Sequence, residues 1–242
     1  MAHINQHWKR WMAVSCNHGH LGDREAIRQV LKFRAAWKPH FTAHLGDVID
    51  TAAFRTGALG TPDEAVSPRS DASQGIEFIR LLEPDLILPG NHCWRLWKNL
   101  RHTSAIIADC AAQLIQDYKA ALPKKCIFIE SYDITRSWYQ LGDAKLLHGF
   151  MYNENAIRDH AEHFGKCVIG HLHKVGQAAG RRADGPTAYC VGMLGDPALF
   201  YYASTRRATA QWSQGFAWGE YTNDDCIVRL VEKGRSGWRL PI

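Results

Sequence analysis

The sequence predicts an α/β (α+β) protein, with a largely parallel, helix-wound sheet in its first half and a second layer of strands in its later half. Two observations carry this: apolar runs alternate with helical patterns from Trp11 to Gly90, and closely spaced strand patterns follow from Cys126 onward. A third concerns function: short polar blocks stand where the apolar runs break at turns, and largely parallel sheets carry their chemistry at the carboxyl ends of their strands.

The first strand is "WMAVS". "DREAIRQVLKFRAAWK" follows as a helix, with Ile27, Val30, Leu31 and Ala35 on one face and a stop before Pro39. "FTAHLGD" is the second strand, "GIEFIRLLEP" a helix carrying Ile76, Ile79 and Leu82, and "DLILPG" the third strand. The stretch from Thr51 to Gln74 is rich in Ala, Thr, Gly, Pro, Ser and Asp without periodicity and reads as a long surface loop. Ile107, Ala111, Leu114, Ile115 and Tyr118 mark one more helical face. Strands then follow at "CIFIES", "SWYQLG" and "AKLLHGF", a helix at "NENAIRDHAEHFG", and further strands at "KCVIGHLH", "TAYCVGML", "GFAWGEYT" and "CIVRLVEK". With no repeat and no linker, residues 1–242 read as a single domain.

Composition narrows the class. The chain is 46% hydrophobic and 22% charged, which supplies a packed interior. The net charge of +5 permits an anionic partner without demanding nucleic acid. No stretch approaches the roughly 18 consecutive apolar residues of a membrane span. The opening "MAHINQHWKRW" lacks the apolar run of a secretory signal, so the expectation is a cytoplasmic protein with no membrane partner. The seven cysteines include no C-x-x-C pair, which argues against a disulfide framework or a zinc ribbon. Most of the thirteen histidines read as surface residues, among them His3, His7, His102, His160 and His163.

Five blocks sit at predicted strand ends: "CNH" at 16–18, "GDVID" at 46–50, "GNH" at 90–92, "HG" at 148–149 and "GHLH" at 170–173. Each alone is an ordinary turn. Together they bring one Cys, two Asp, two Asn and five His to one rim of the sheet. That mix suits divalent first-row metals such as Mn, Zn or Fe. The ligands are too many for one ion, whereas two ions roughly 3.5 to 4 Å apart and sharing a carboxylate would use them all.

The order and spacing of these blocks resemble the calcineurin-like metallophosphoesterase superfamily, whose pattern runs D-x-H, G-D-x-x-D, G-N-H-[ED], H and G-H-x-H, over about Ser15 to His173; small phage and bacterial members look similar. The resemblance implies two mixed β-sheets packed as a sandwich flanked by α-helices. It implies a first ion held by Cys16, His18, Asp47 and His173, and a second held by Asp47, Asn91, His148 and His171, with Asp47 as the bridge. It further implies that His92 meets the phosphate without binding metal, that Asp50 orients it, and that a hydroxide shared by the ions attacks phosphorus.

Three departures stand out. Cys16 occupies a position that is Asp in the family. It can bind as a thiolate, favouring zinc or iron in the first site; it can be an unligated thiol beside a weak first site; or the register can slide so that His18 and His20 replace the usual pair. The first fits best, because "VS" ahead of Cys16 matches the usual strand exit. Cys93 stands where the family has Glu or Asp, outside the ligand set. "GDVIDTA" lacks the Arg-Gly of the protein phosphatase branch, which demotes that activity. Arg95 is either a phosphate contact or a helix-surface cation.

The expected substrate is a phosphodiester, in a nuclease or nucleotide phosphodiesterase. "WRLWKNLR" at 94–101 and "YYASTRRATAQW" at 201–212, with Arg206 and Arg207, interleave aromatic and basic residues as nucleic-acid binders do. A phosphomonoesterase is one alternative. A binding scaffold that keeps the fold without catalysis, as the retromer subunit of this architecture illustrates, is another; the presence of His92 weighs against it and Cys16 keeps it open.

Overall fold

The computed structural model describes residues 7–203 and 207–242. Strand β1 (Lys9–Val14) is followed by α1 (Arg24–Trp37), β2 (Phe41–His44), α2 (Pro68–Leu82), β3 (Leu86–Ile87), α3 (Trp94–Asn99), α4 (Ala105–Ala120) and β4 (Ile127–Phe128). The second half runs β5 (Trp138–Leu141), β6 (Ala144–Leu147), α5 (Ala156–Phe164), β7 (Cys167–Ile169), β8 (Val175–Ala179), β9 (Thr187–Val191), β10 (Gly215–Tyr221) and β11 (Cys226–Glu232).

Two mixed sheets result, in the orders β11-β10-β1-β2-β3-β4 and β5-β6-β7-β9-β8. Within them β1 to β4 run parallel, as do β6, β7 and β9, while β5, β8, β10 and β11 pair antiparallel. The sheets face each other across one interior, where Trp11, Ala43 and Leu86 of the first meet Leu146, Val168 and Val191 of the second. Alternation along β1 decides the layers: Trp11 and Ala13 point between the sheets, whereas Met12 and Val14 point outward to Val30 and Phe33 of α1 and Phe78 of α2. Helix α5 covers the outer face of the second sheet through Ile157 and Phe164.

Local chemistry sets the helix ends. Asp23 caps α1 by accepting from the backbone N–H groups of Glu25 and Ala26, and Lys38 closes it in a left-handed conformation just before Pro39. The buried face of α1 is Ala26, Val30 and Phe33; Ile27 and Leu31 are half-buried, and Ala35, expected inside, is exposed. The aromatic ring of Phe33, stacked among Trp37, Phe216 and Trp218, rotates the face by one position.

The expected surface loop at 51–74 is corrected by the structure. Ser67 caps and Pro68 opens α2, so residues 68–74 are its first two turns, and Asp63, Asp71 and Ala72 are buried. Short 3-10 turns at Ala52–Phe54 and Pro62–Ala65 fold the remainder against the protein. The Ser-Pro start signal sits in a composition otherwise typical of loops, which is why the periodicity alone placed the helix late. Strand β8 was not anticipated: "VGQAA" has little β-branched character and lies at a sheet edge, where pairing with β9 rather than propensity makes it a strand. His160 is also corrected, from a surface residue to a fully buried one. His7, His102 and His163 are exposed, and His3 lies outside the described residues. No helix among the described residues is long and apolar enough to cross a membrane.

Helix α2 lies so close to the chain following β2 that a side chain at Gly75 would sit 2.5 Å from Ile49 Cγ2 and 2.6 Å from the Val48 carbonyl. Gly75→Val is therefore expected to lower stability by about 1–3 kcal/mol through overpacking, read as a reduced urea midpoint at unchanged m-value.

Candidate metal centre

The parallel strands β1, β2 and β3 of one sheet and β6 and β7 of the other end at a common rim. Cys16 and His18 follow β1; Asp47 and Asp50 follow β2; Asn91 and His92 follow β3; His148 follows β6; His171 and His173 follow β7. Backbone hydrogen bonds lock these turns together: Cys16 N–H donates to Gly46 O (2.9 Å), His18 N–H to Asp47 O (3.0 Å) and Gly170 N–H to His148 O (2.9 Å). Cys16, His18, Asp47, His171 and His173 all have φ between 52° and 64°. Left-handed backbone costs a non-glycine residue about 1–3 kcal/mol, so five such residues in one cluster mark a site whose side-chain directions are imposed by the fold. Gly90 allows close approach of the β3 turn, since a Cβ there would lie 2.0 Å from Asp47 Oδ1.

The cluster divides into two groups that share Asp47. In the first, the ligand atoms of Cys16, His18, Asp47 and His173 all lie within 4.8 Å of one another. His18 Nε2 faces His173 Nε2 at 2.9 Å. In the second, Asp47, His148 and His171 converge in the same way, and Asn91 Oδ1 joins them at 3.1 Å from His148 Nε2 and 2.9 Å from His171 Nδ1. Asp47 Oδ2 stands 3.1 Å from His148 Nε2 and 3.9 Å from His18 Nε2.

Whether a cation fits can be judged from the protons. His148 Nδ1 donates to Leu45 O (2.8 Å) and His18 Nδ1 to Asp50 Oδ1 (2.8 Å), so in each neutral ring the Nε2 directed into the cluster carries a lone pair. Asp47 Oδ2 and His173 Nδ1 are buried without a hydrogen-bond partner. Burial, together with the neighbouring His148, pushes His171 down to about 3, and burial with His18 nearby holds His173 well below the usual imidazole range. Burial works against the Asp47 carboxylate, yet the nearby His148 and His92 keep it well below its ordinary value. The unprotonated imidazoles of His171 and His173 and an ionised Asp47 carboxylate, gathered with further nitrogen and sulfur donors, are what divalent cations require, and the donor set fits them.

Cys16 is fully buried, with Ser15 Oγ 3.1 Å from its sulfur and the His171 backbone N–H donating to it at 3.4 Å. Burial and the Asp47 charge push its thiol well above the ordinary range, so a thiolate there needs a cation beside it. Apolar residues close this side: Phe200 packs edge-on against His18 and His173, and Trp212 against His173. His20, the alternative ligand of a slid register, instead bonds Asp71 through Nδ1 at 2.9 Å.

Beside the two groups, Asp50 Oδ1 lies 2.7 Å from His92 Nδ1 while also accepting from His18. Against the effect of burial, the two histidines hold Asp50 well below the carboxylate range. The His92 backbone N–H donates to Asp47 Oδ1 (2.8 Å), tying the dyad to the shared carboxylate. Arg95 Nη1 donates to Asp50 O (2.9 Å), and its side chain lines a cleft with Asn91. Cys93 is buried with Val48, Ile49 and Leu96, where an acid would have no partner among these apolar neighbours.

One supporting residue escaped the sequence reading. Asp71 of α2 accepts from the backbone N–H of His20 (3.3 Å), Asp50 (3.2 Å) and Thr51 (2.6 Å), pinning both turns that present His18 and Asp50. It lies inside the stretch read as a loop, so only the Ser67-Pro68 helix start pointed to it. His160 likewise accepts from Phe150 N–H (2.9 Å) behind the His148 turn. Arg206 and the side chain of Arg207 lie outside the described residues. Trp94 and Trp97 stack on each other with centroids 5.9 Å apart, both half-buried.

No family model and no curated protein matches the chain. Solved structures do: a hypothetical protein from Pyrococcus horikoshii aligns over 92% of this chain and 87% of its own at 12% identity and a TM-score of 0.50. The chain shares that protein's fold, two mixed β-sheets with flanking helices. A metallophosphoesterase from Sphaerobacter thermophilus aligns over 88% of this chain and 84% of its own at 17% identity and a TM-score of 0.45. A phosphoesterase from E. coli aligns over 92% and 98% at 15% identity and a TM-score of 0.41. At these identities the likeness is one of fold.

Two measurements check the assignment of ligands. Asp47→Ala, which removes the residue common to both ligand groups, is expected to lower the bound metal more than His148→Ala, read as metal-to-protein ratios after dialysis. Cobalt-loaded protein should show a near-ultraviolet thiolate charge-transfer band that disappears in Cys16→Ser; its persistence would remove Cys16 from the ligand set.

Proposed function

We propose that this protein is a metal-dependent phosphoesterase that hydrolyses phosphodiesters. The observation that carries the reading is the shared Asp47 carboxylate between two convergent ligand groups, with the Asp50–His92 pair at hydrogen-bond distance beside them. A pair of divalent ions, when bound, lowers the pKa of water and neutralises phosphate oxygens.

The chain's own residues supply the rest. Asp47, with one oxygen held by the His92 backbone, keeps the two ligand groups in fixed relation. His92 projects from the turn after Asn91, a ligand of the second group, and is placed to give a proton to the departing ester oxygen. Asp50 orients its ring through Nδ1, with Nε2 as the atom to meet the substrate. Arg95, tethered to the Asp50 carbonyl, is placed to contact a nonbridging oxygen. Phe200 and Trp212 seal the Cys16 side, so substrate enters from the Asn91 side, where the cleft opens. That cleft measures ≈ 790 Å³, far more than one phosphate group occupies. Room beyond the phosphate favours a diester, whose second substituent needs space, over a monoester. The sulfur of Cys16 and the apolar wall beside it favour zinc or iron in the first site and manganese, zinc or iron in the second.

His92→Ala is expected to retain its metal and lose about 10²–10⁴-fold in kcat on a chromogenic phosphodiester. Undiminished turnover would overturn the role given to His92. Wild-type protein with two ions is expected to cleave a chromogenic diester faster than the matching monoester; one bound ion with no turnover on either would favour a binding scaffold.

A further inference from the structure

The cleft that begins at Asn91 has two unlike walls. One is α3 and its exit: Arg95 and Lys98 stand three residues apart on the helix, and His102 follows in the turn beyond its cap at Leu100. Lys98 is exposed and forms no ion pair among the described residues. His102 Nδ1 accepts from Ser104 N–H (3.0 Å), which places the ring proton on Nε2 and makes it a donor. The wall formed by residues 53–64 presents Phe54 and Leu59, the latter 84% exposed, beside Arg55 and Glu64. That wall is held in place by Arg55, whose guanidinium pairs with the buried Asp63 (2.6 Å), and by Glu64, which accepts from Gly60 N–H.

We infer that this cleft binds a single-stranded nucleic acid, with the scissile phosphate reaching Arg95, the phosphates beyond it on Lys98 and His102, and the bases against Phe54 and Leu59. The inference rests on the proposed phosphodiesterase reading for the position of the scissile phosphate and extends it to the substrate class. A groove with cations on one wall and apolar side chains on the other matches a chain that has charge on one edge and flat apolar bases on the other. A duplex turns its bases inward and would leave Phe54 and Leu59 facing phosphates. A lone mononucleotide diester would reach Arg95 and leave Lys98 and His102 unused.

The test uses metal-loaded His92→Ala protein, so that binding is measured without cleavage. Fluorescein-labelled oligothymidylates of one to six nucleotides are titrated by anisotropy. Affinity is expected to rise with length to about four nucleotides; adding Lys98→Ala should weaken the hexamer about tenfold and reduce the slope of log Kd against log salt by about 0.7, the loss of one phosphate contact to a single strand. Phe54→Ala should weaken the hexamer while leaving that slope in place. Binding independent of length, a hexamer indifferent to Lys98→Ala, or tighter binding of a duplex or a phosphoserine peptide would each overturn the inference. Wild-type turnover on a chromogenic diester separates the two proposals: turnover without any length dependence in binding rejects the nucleic-acid cleft and keeps the phosphodiesterase, whereas length-dependent binding with no ester hydrolysed rejects the phosphodiesterase.

Discussion

The shared carboxylate of Asp47 is the constraint on which the site depends. It is buried, lies at ion-pair distance from His148, and has one oxygen bonded to the His92 backbone and the other without a hydrogen bond. A buried anionic oxygen without a hydrogen-bond partner is expensive. Cations offset that cost. The apolar packing between the sheets and under the helices is what holds the turns in place against it.

That cost has a counterpart in the backbone. Residues on turns after β1, β2 and β7 adopt left-handed conformations that short-range sterics disfavour, and they persist because hydrogen bonds between neighbouring turns over-determine them. Asp71 contributes by gathering three backbone N–H groups from two turns onto one buried carboxylate. Through it, helix α2 sets where Asp50 stands, and Asp50 in turn sets the rings of both His18 and His92. A short chain of contacts thus joins a structural helix to His92.

The two sides of the site differ in character. Around Cys16 it is dry and closed by Phe200, Met193 and Trp212; around Asn91 it opens into the polar cleft. Burial raises the Cys16 thiol, so the sulfur acquires charge only with a cation next to it. The sulfur is thereby paired with an apolar surround, whereas the Asn91 side faces the cleft.

Much of this was legible in the sequence, because its signals are local. Strand ends announce themselves as apolar runs broken by Gly with Asp, Asn or His, so the five blocks and the α/β class could be read directly, and the structure gathers all the ligand candidates from Cys16 to His173 at one rim. The start of α2 and the strand β8 were not legible: the helix begins in a composition common to loops, and the strand exists only through pairing with β9. Asp71 and His160 looked like surface residues, since burial of a polar side chain depends on partners that lie 20 or more residues away or on a neighbouring turn. The identity of the candidate ligands was legible in the sequence alone. Which nitrogen of each ring faces inward, how dry each half of the site is, and where the cleft opens were decided by the tertiary structure, because those depend on hydrogen bonds and packing between segments distant along the chain.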